Sequence, residues 1–577
     1  MADISKPFTV HIQGRGALKF GPADHVASGG EGSIFRKAGI ALKVWDDPDR
    51  AAKDRMPEKL GLLSSLLRHP CIVAPESLAT DRVGRAIGFV MPWVQDAWAL
   101  PQAFTNDWRA ANGFGDAEAL AFAARMREVA LFAGRAGIVM GDANELNVLG
   151  VGIGMTSEPR YIDVDPWVLP GFPGGKILPT VRDWHSPPFS READWFAWAV
   201  TTFQLLVGVH PYRGTHPGFK RADLEGRMLA NASVFDPAVR LSPAARGRDL
   251  IPGQLRDWYR AVFHEGFRGE PPEVSPAAHR SAARPAQATT LPATGDLVVR
   301  EAWRLPAGLL RQVAPDVVLL EGGLLASMPD GRLYGTAHPG AAFARLADGG
   351  IAAASAASGM LRFGVLRAAP GASAVMDSAG LAAMTAWSAE NRLFAVLPDG
   401  LLELQPRVVA GRTVALPGRK WSLNANATVF GDSIALLDAL GAKFLVAPFG
   451  ESSVAVLRVR GLDGLRPVAM IRRGRTAVLS LIDAGGSYHR ASVSFGAGFA
   501  DCLITLEDTD DGSLGDAVTD SGIVVRFAAD GRLELFSPAS GARRLAESGA
   551  AAGGRLLAGP SGVFCVAGDR MLKLSLS

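Results

Sequence analysis

The chain has 577 residues, 48% hydrophobic and 20% charged, with 60 Lys and Arg against 57 Asp and Glu. That length exceeds a single hydrophobic core, so two to four domains are expected, and the apolar content excludes a disordered chain. A net charge of +3, with no basic stripe interleaved with aromatics, excludes the electrostatic footprint of a nucleic-acid binder.

Residues 1–8 lack a charged stretch leading into an apolar one, so no signal peptide is expected. Residues 9–12 and 18–20 are short strand candidates. A glycine-rich turn follows at Gly29, Gly30 and Gly32, and then the apolar run Ile40-Ala41-Leu42 ends in Lys43. Glycines in such a turn let the backbone pass close over phosphates, and a lysine at a strand end can neutralise them. A plain hairpin with a surface lysine has the same pattern. Residues 50–67 read as one helix with Leu60, Leu63, Leu66 and Leu67 on a single face.

Residues 116–136 form a second helical pattern, carried by Leu120, Ala124, Val129, Leu131 and Phe132. It delivers the chain to Asp142, which stands five residues before Asn147; Asp163 then closes the apolar pair Tyr161-Ile162. That spacing can provide one carboxylate for the proton of an attacking hydroxyl. It also provides an amide and a second carboxylate for Mg²⁺ on nucleotide phosphates. Taken alone, the Asp-x-x-x-x-Asn spacing is common. Asp165 reads as a turn cap before Pro166, with a second carboxylate near the metal as the alternative. The longest apolar run, residues 195–209, carries Thr201, Thr202 and Gln204 and suits a buried helix rather than a membrane span.

Together these segments resemble the protein kinase superfamily, over residues about 20–270. Ala27, Gly29 and Gly32 fall on its glycine-rich loop, with alanine at the first glycine. Ile34 and Ala41 fall where the family sandwiches adenine. Lys43 matches its phosphate-binding lysine, and Glu58 the glutamate that pairs with that lysine. His69-Pro70-Cys71-Ile72-Val73 is similar to its H-P-x-I-V. Residues 87–94 look like the strand entering the hinge, which implies Met91 as gatekeeper, with the Pro92 carbonyl and Val94 amide facing the adenine edge. Met140-Gly141-Asp142 and Asn147 stand for H-R-D-x-x-x-x-N, without the arginine. Asp163-Val164-Asp165 stands for D-F-G. Asn144 replaces the lysine often found two residues after the catalytic aspartate. Asp194 matches the buttress of the catalytic loop, and residues 205–214 resemble the close of the helix that carries it.

The resemblance implies an α+β bilobal kinase-like domain at 1–270, with an N-lobe to about 94 and a C-lobe from 95. It implies ATP and Mg²⁺ as cofactors: Asp142, Lys43 and Glu58 would be catalytic, and Asn147 and Asp163 metal ligands. A Ser/Thr protein kinase is expected. A small-molecule phosphotransferase of the aminoglycoside or choline kinase kind, and a nucleotide-binding pseudokinase scaffold, are the alternatives.

Residues 271–295, rich in Pro and Ala, read as a linker. Beyond them, residues 296–577 are nearly free of lysine, and short strands alternate with glycine turns. Turn glycines at 331, 359, 400, 441, 486, 531 and 568 are spaced by 28, 41, 41, 45, 45 and 37 residues. That period fits four short strands per repeat and an all-β domain, a six- or seven-bladed β-propeller, with a sandwich pair or solenoid as alternatives. It is expected to bind protein substrates or partners. His489 reads as structural, and the acidic run 507–511 as a solvated loop. The scattered Cys71, Cys502 and Cys565 read as reduced, buried thiols, so a cytoplasmic protein without membrane or nucleic-acid partners is expected.

Overall fold

A computed structural model describes residues 4–172, 174–242, 244–274, 297–367, 374–528 and 530–576. Residues 275–295 of the expected linker lie outside the described residues. Helices are the minority, and the sheets are mostly antiparallel.

The N-terminal part opens with a seven-stranded sheet. Its strands are β1 (Phe8–Ile12), β2 (Gly16–Phe20), β3 (His25–Ser28), β4 (Gly32–Lys37), β5 (Ile40–Trp45), β6 (Ser77–Thr80) and β7 (Ala86–Pro92), in the order β2-β1-β6-β7-β5-β4-β3. Every residue of β5 is buried, and its side chains alternate between two cores. Ile40, Leu42 and Val44 join Val10, Phe20 and Phe35 on one face. Ala41 and Trp45 join the helical core on the other, and Lys43 shares their face by the same period of two.

Between β5 and β6 the expected single helix is two: α1 (Pro48–Lys53) and α2 (Met56–Leu66). The break falls at Arg55, in the left-handed region at φ 53°. Leu60, Leu63 and Leu67 are buried, but Leu66 is exposed, so it does not share their face. Two short helices, α3 (Leu100–Phe104) and α4 (Asn106–Asn112), precede the long α5 (Asp116–Arg135). A three-stranded sheet pairs β8 (Ala97–Ala99), β9 (Val148–Val151) and β10 (Glu158–Tyr161) in the order β10-β9-β8. The apolar run is α6 (Arg191–Val207), capped by Ser190 Oγ on the Ala193 amide and closed by Gly208 at φ 88°. From Ala193 onward all of it is buried, in keeping with a sequence that is mostly apolar all round and carries only Asp194, Thr201, Thr202 and Gln204 as polar residues. The helices α7 (Leu224–Leu229) and α8 (Gly253–Phe263) complete this part.

From 297 the described residues form seven four-stranded antiparallel sheets. Six are built from consecutive strands, at 309–336, 342–382, 385–422, 428–458, 466–509 and 517–546. The seventh joins β11 (Leu297–Arg304) to the last three strands at 555–576. Each turn glycine marked by the sequence falls in a different sheet. Five lie between second and third strands and Gly400 opens the third strand of its sheet, but Gly331 lies between the third and fourth of its sheet, which accounts for the short first spacing. The apolar clusters link the sheets in a cycle. Phe343 and Val317 join the first two, Leu393 and Ala352 the next two, and Phe394 and Val446 the two after. Leu445 with Leu479, Val478 with Val524, and Leu533 with Leu572 continue it. Phe564 and Val318 return to the start. Seven interfaces for seven sheets leave neither end of the series uncovered.

The two parts share a core as well: Val468, Ile482 and Tyr488 belong to the same apolar cluster as Phe196 and Met140. Polar contacts flank this junction. Asn424 Nδ2 donates to the His25 carbonyl at 3.0 Å, Arg221 Nε lies 3.0 Å from Asp510 Oδ1, and Arg555 Nε 3.0 Å from Asp107 Oδ1. Asp510 is therefore paired rather than solvated, as is Glu507 with Arg526 and Arg543. His489 bridges Asp483 and Asp508. Among the described residues no helix is long and apolar enough to cross a membrane. Cys71, Cys502 and Cys565 are free, the first and last buried.

Candidate functional site

Lys43 projects from β5 into the junction between the sheet and the helices and is 4% exposed. Its Nζ lies 2.9 Å from both carboxylate oxygens of Asp165 and also pairs with Asp163. Burial pulls the ammonium pKa down, but the two carboxylates outweigh it and raise it. Asp165, 2% exposed, is pushed up to about 6 by burial and by Asp163, against the pull of Lys43. It is a buried partner of the lysine rather than the expected turn cap. Asp163 stays half-buried, in the left-handed region at φ 58°, a conformation that aspartate tolerates better than most residues.

Glu58 does not pair with Lys43. It lies in the first turn of α2 and forms an exposed ion pair with Arg55. Its neighbour Lys59 is the buried one, and burial lowers its ammonium to about 8 against the pull of Asp165, Glu31 and Asp54.

The Asp142 segment is held by α6. Asp194 Oδ2 and Oδ1 accept the Met140 and Gly141 amides at 3.0 and 2.8 Å, and burial pushes the Asp194 carboxyl up to about 6 against those two donors. Gly141, at φ 67°, makes the turn that presents both amides. Asn144 caps the 3-10 turn Glu145–Asn147 by accepting the Leu146 amide. Asn147 Nδ2 donates to the Asp142 carbonyl at 3.1 Å and faces its carboxylate at 3.4 Å. The Asn147 carbonyl accepts the Ile162 amide at 2.9 Å, tying this turn to the strand end that carries Asp163. Asp142 Oδ1 accepts the Leu178 amide at 2.9 Å. Burial raises the Asp142 carboxyl, and Asp163 adds to that, against the Leu178 amide and Asn144.

The glycine-rich turn sits at the other edge. Gly29 and Gly30 are exposed, and the Gly29 amide donates to the Gly32 carbonyl, closing the hairpin. Gly32 has a packing reason, because a Cβ there would strike the Val44 carbonyl. Ala27 pairs with Ile34 across that hairpin, and Ile34 with Lys43. Ala41 pairs with Met91, and Ile40 with Pro92. Ala41 and Met91 share an apolar cluster with partly buried Ile34, Val94 and Leu146, so these residues wall one side of the site.

Chemically, the cluster has two carboxylates for one lysine, leaving negative charge with oxygen donors at Asp163 and the Asn147 amide. That donor set fits a hard divalent cation, which in phosphate sites takes one or two carboxylates and completes its shell from phosphate and water. No group of three or more His, Cys, Asp and Glu residues that could hold a metal by themselves is present among the described residues. Lys43, Asp142, Asn147 and Asp163 are brought together, and Glu58 stands apart with Arg55. Asp165 and Lys59 were not singled out as site residues. Asp165 had a visible signal, a second carboxylate beside Asp163. No family model matches the chain, and no curated protein matches it.

Proposed function

We propose that the chain is an ATP- and Mg²⁺-dependent phosphotransferase of the protein kinase superfamily, a Ser/Thr protein kinase, with residues 1–270 as catalytic domain. The cycle of seven sheets at 296–577 is a seven-bladed β-propeller that packs on it and receives protein partners. The observation that carries this reading is the convergence of Lys43, Asp142, Asn147 and Asp163, from separate segments, beside an exposed glycine turn and an apolar wall. A cytoplasmic setting goes with it.

In this reading Ile34, Ala41, Met91 and Val94 hold the adenine, and Lys43 exchanges a carboxylate for nucleotide phosphates. Asn147 and Asp163 would hold Mg²⁺, whose chemistry is to neutralise phosphate charge. Asp142 orients the acceptor hydroxyl and takes its proton. Catalysis of this kind is positioning and charge neutralisation. Asp165 takes the place expected of Glu58 in holding the lysine. The test is calorimetric titration with MgATP: the wild-type chain binds, and Lys43→Ala does not. Equal heats from both proteins would remove the reading.

A second reading, a nucleotide-binding scaffold without turnover, is favoured by one contact. The Leu178 amide occupies an Asp142 carboxylate oxygen that a substrate hydroxyl would need. Binding of ATP without transfer to any acceptor would select it.

A further inference from the structure

The strand Arg466–Arg473 brings the C-terminal part against the N-terminal core. Its placement is set by packing, since Val468 on that strand, with Ile482 and Tyr488 beside it, lies in the N-terminal core. Its first residue, Arg466, reaches over the glycine turn: a methyl group added to Gly29 would stand 3.9 Å from the Arg466 Nη2.

Arg466 is exposed, and its side chain has no hydrogen bond or salt bridge among the described residues. Its neighbours on the same sheet are spent. Arg472 pairs with Glu390, Arg473 with Asp520 and Arg490 with Asp516. Lys43 is likewise held by two carboxylates, and Asn144 places a neutral cap near Asp142. An unspent guanidinium beside a glycine turn and a carboxylate-rich centre has the geometry to bind phosphate oxygens through its fork of donors.

We infer that Arg466, contributed by the C-terminal part, is a phosphate-binding residue of the nucleotide site and contacts the terminal phosphates of a nucleoside triphosphate. This rests on the reading of the Lys43 cluster as a nucleotide site. Arg466 then supplies the cation that Asn144 does not, and completes the site only when the two parts are docked.

The experiment compares the affinities of the full chain for MgATP and adenosine in wild type, Arg466→Ala, Arg466→Lys and Lys43→Ala, with thermal unfolding to confirm folding. Arg466→Ala is expected to weaken MgATP about ten- to a hundredfold, the scale of a charge-assisted phosphate contact, and to leave adenosine within about twofold. Arg466→Lys recovers part of the loss, which a purely structural role would not produce. Should Arg466→Ala prevent folding, Arg466→Lys is compared directly with Arg466→Gln, and the lysine variant should bind MgATP the tighter. If Lys43→Ala abolishes MgATP binding while the Arg466 variants match wild type, or lose adenosine equally, the assignment of Arg466 is overturned alone. If wild type binds no MgATP, the nucleotide reading and this assignment fall together.

Discussion

Lys43 holds Asp165 through both carboxylate oxygens, each 2.9 Å from Nζ, at a point where both residues are almost fully buried. Lys43 keeps Asp163 as a partner when Asp165 is replaced, so Asp165→Asn removes one of two buried carboxylate contacts rather than stranding the charge. It is expected to lower unfolding stability by about 1–3 kcal/mol, read by urea denaturation. Glu58→Gln breaks only an exposed pair with Arg55, so its stability should shift by less than about 1 kcal/mol and its ATP affinity should not move. A large loss of ATP binding in Glu58→Gln would show that the lysine's partner is misassigned.

Asp194 accepts two buried amides of the Asp142 turn. Asp194→Ala leaves both unpaired, at about 1–3 kcal/mol each, and loosens the loop that carries Asp142. Stability should fall accordingly. Phosphoryl transfer should drop far more than ATP affinity, because the lysine site lies on other elements. Parallel losses of both would place Asp194 in general folding instead.

His210 supplies a pH dependence. Its Nδ1 accepts the Tyr212 amide and its Nε2–H donates to the Thr180 carbonyl at 2.8 Å, so the neutral ring fits and a second proton would cost the Tyr212 bond. Burial pushes its pKa from 6.5 down to about 3. Below pH 6.5 the unfolded chain takes up a proton that the folded chain refuses, so this contribution to stability is lost as pH falls from 6.5 toward 3. The slope approaches about 1.4 kcal/mol per pH unit. Urea unfolding of wild type and His210→Gln at pH 7, 6 and 5 should show a flatter profile for the variant; identical profiles would contradict the buried neutral histidine.

The last strand, Arg570–Leu576, pairs with β11 on one side and Gly562–Ala567 on the other. Truncation after Asp569 leaves β11 without its neighbour and removes Met571, Leu572 and Leu574 from two of the seven interfaces. The unfolding midpoint should fall by more than about 5 °C, or the protein should aggregate through the freed edge. An unchanged midpoint would mean that the cycle of sheets contributes little.

Much of this was legible because local patterns carry it. The turn glycines counted the sheets, and the full apolar coat of residues 195–207 announced a buried helix. Asp142, Asn147 and Asp163 lie close in the chain, where short elements fix their geometry. Glu58 was misplaced because counting residues assumes one continuous helix, whereas the left-handed Arg55 breaks it and turns Glu58 to solvent. Asp165 was taken for a cap because its burial depends on Lys43, 122 residues earlier. Arg466 was invisible for a stronger reason: its approach to Gly29 exists only through the docking of two parts, and no sequence period encodes that surface.

Phosphoryl transfer at the Lys43–Asp142 site, the activity proposed above, is read by incubating the full chain with γ-labelled ATP, Mg²⁺ and protein acceptors, beside Asp142→Asn. Label is expected on protein with wild type, and a loss of at least about a hundredfold with the variant, which still binds ATP. Transfer that survives in Asp142→Asn would contradict it.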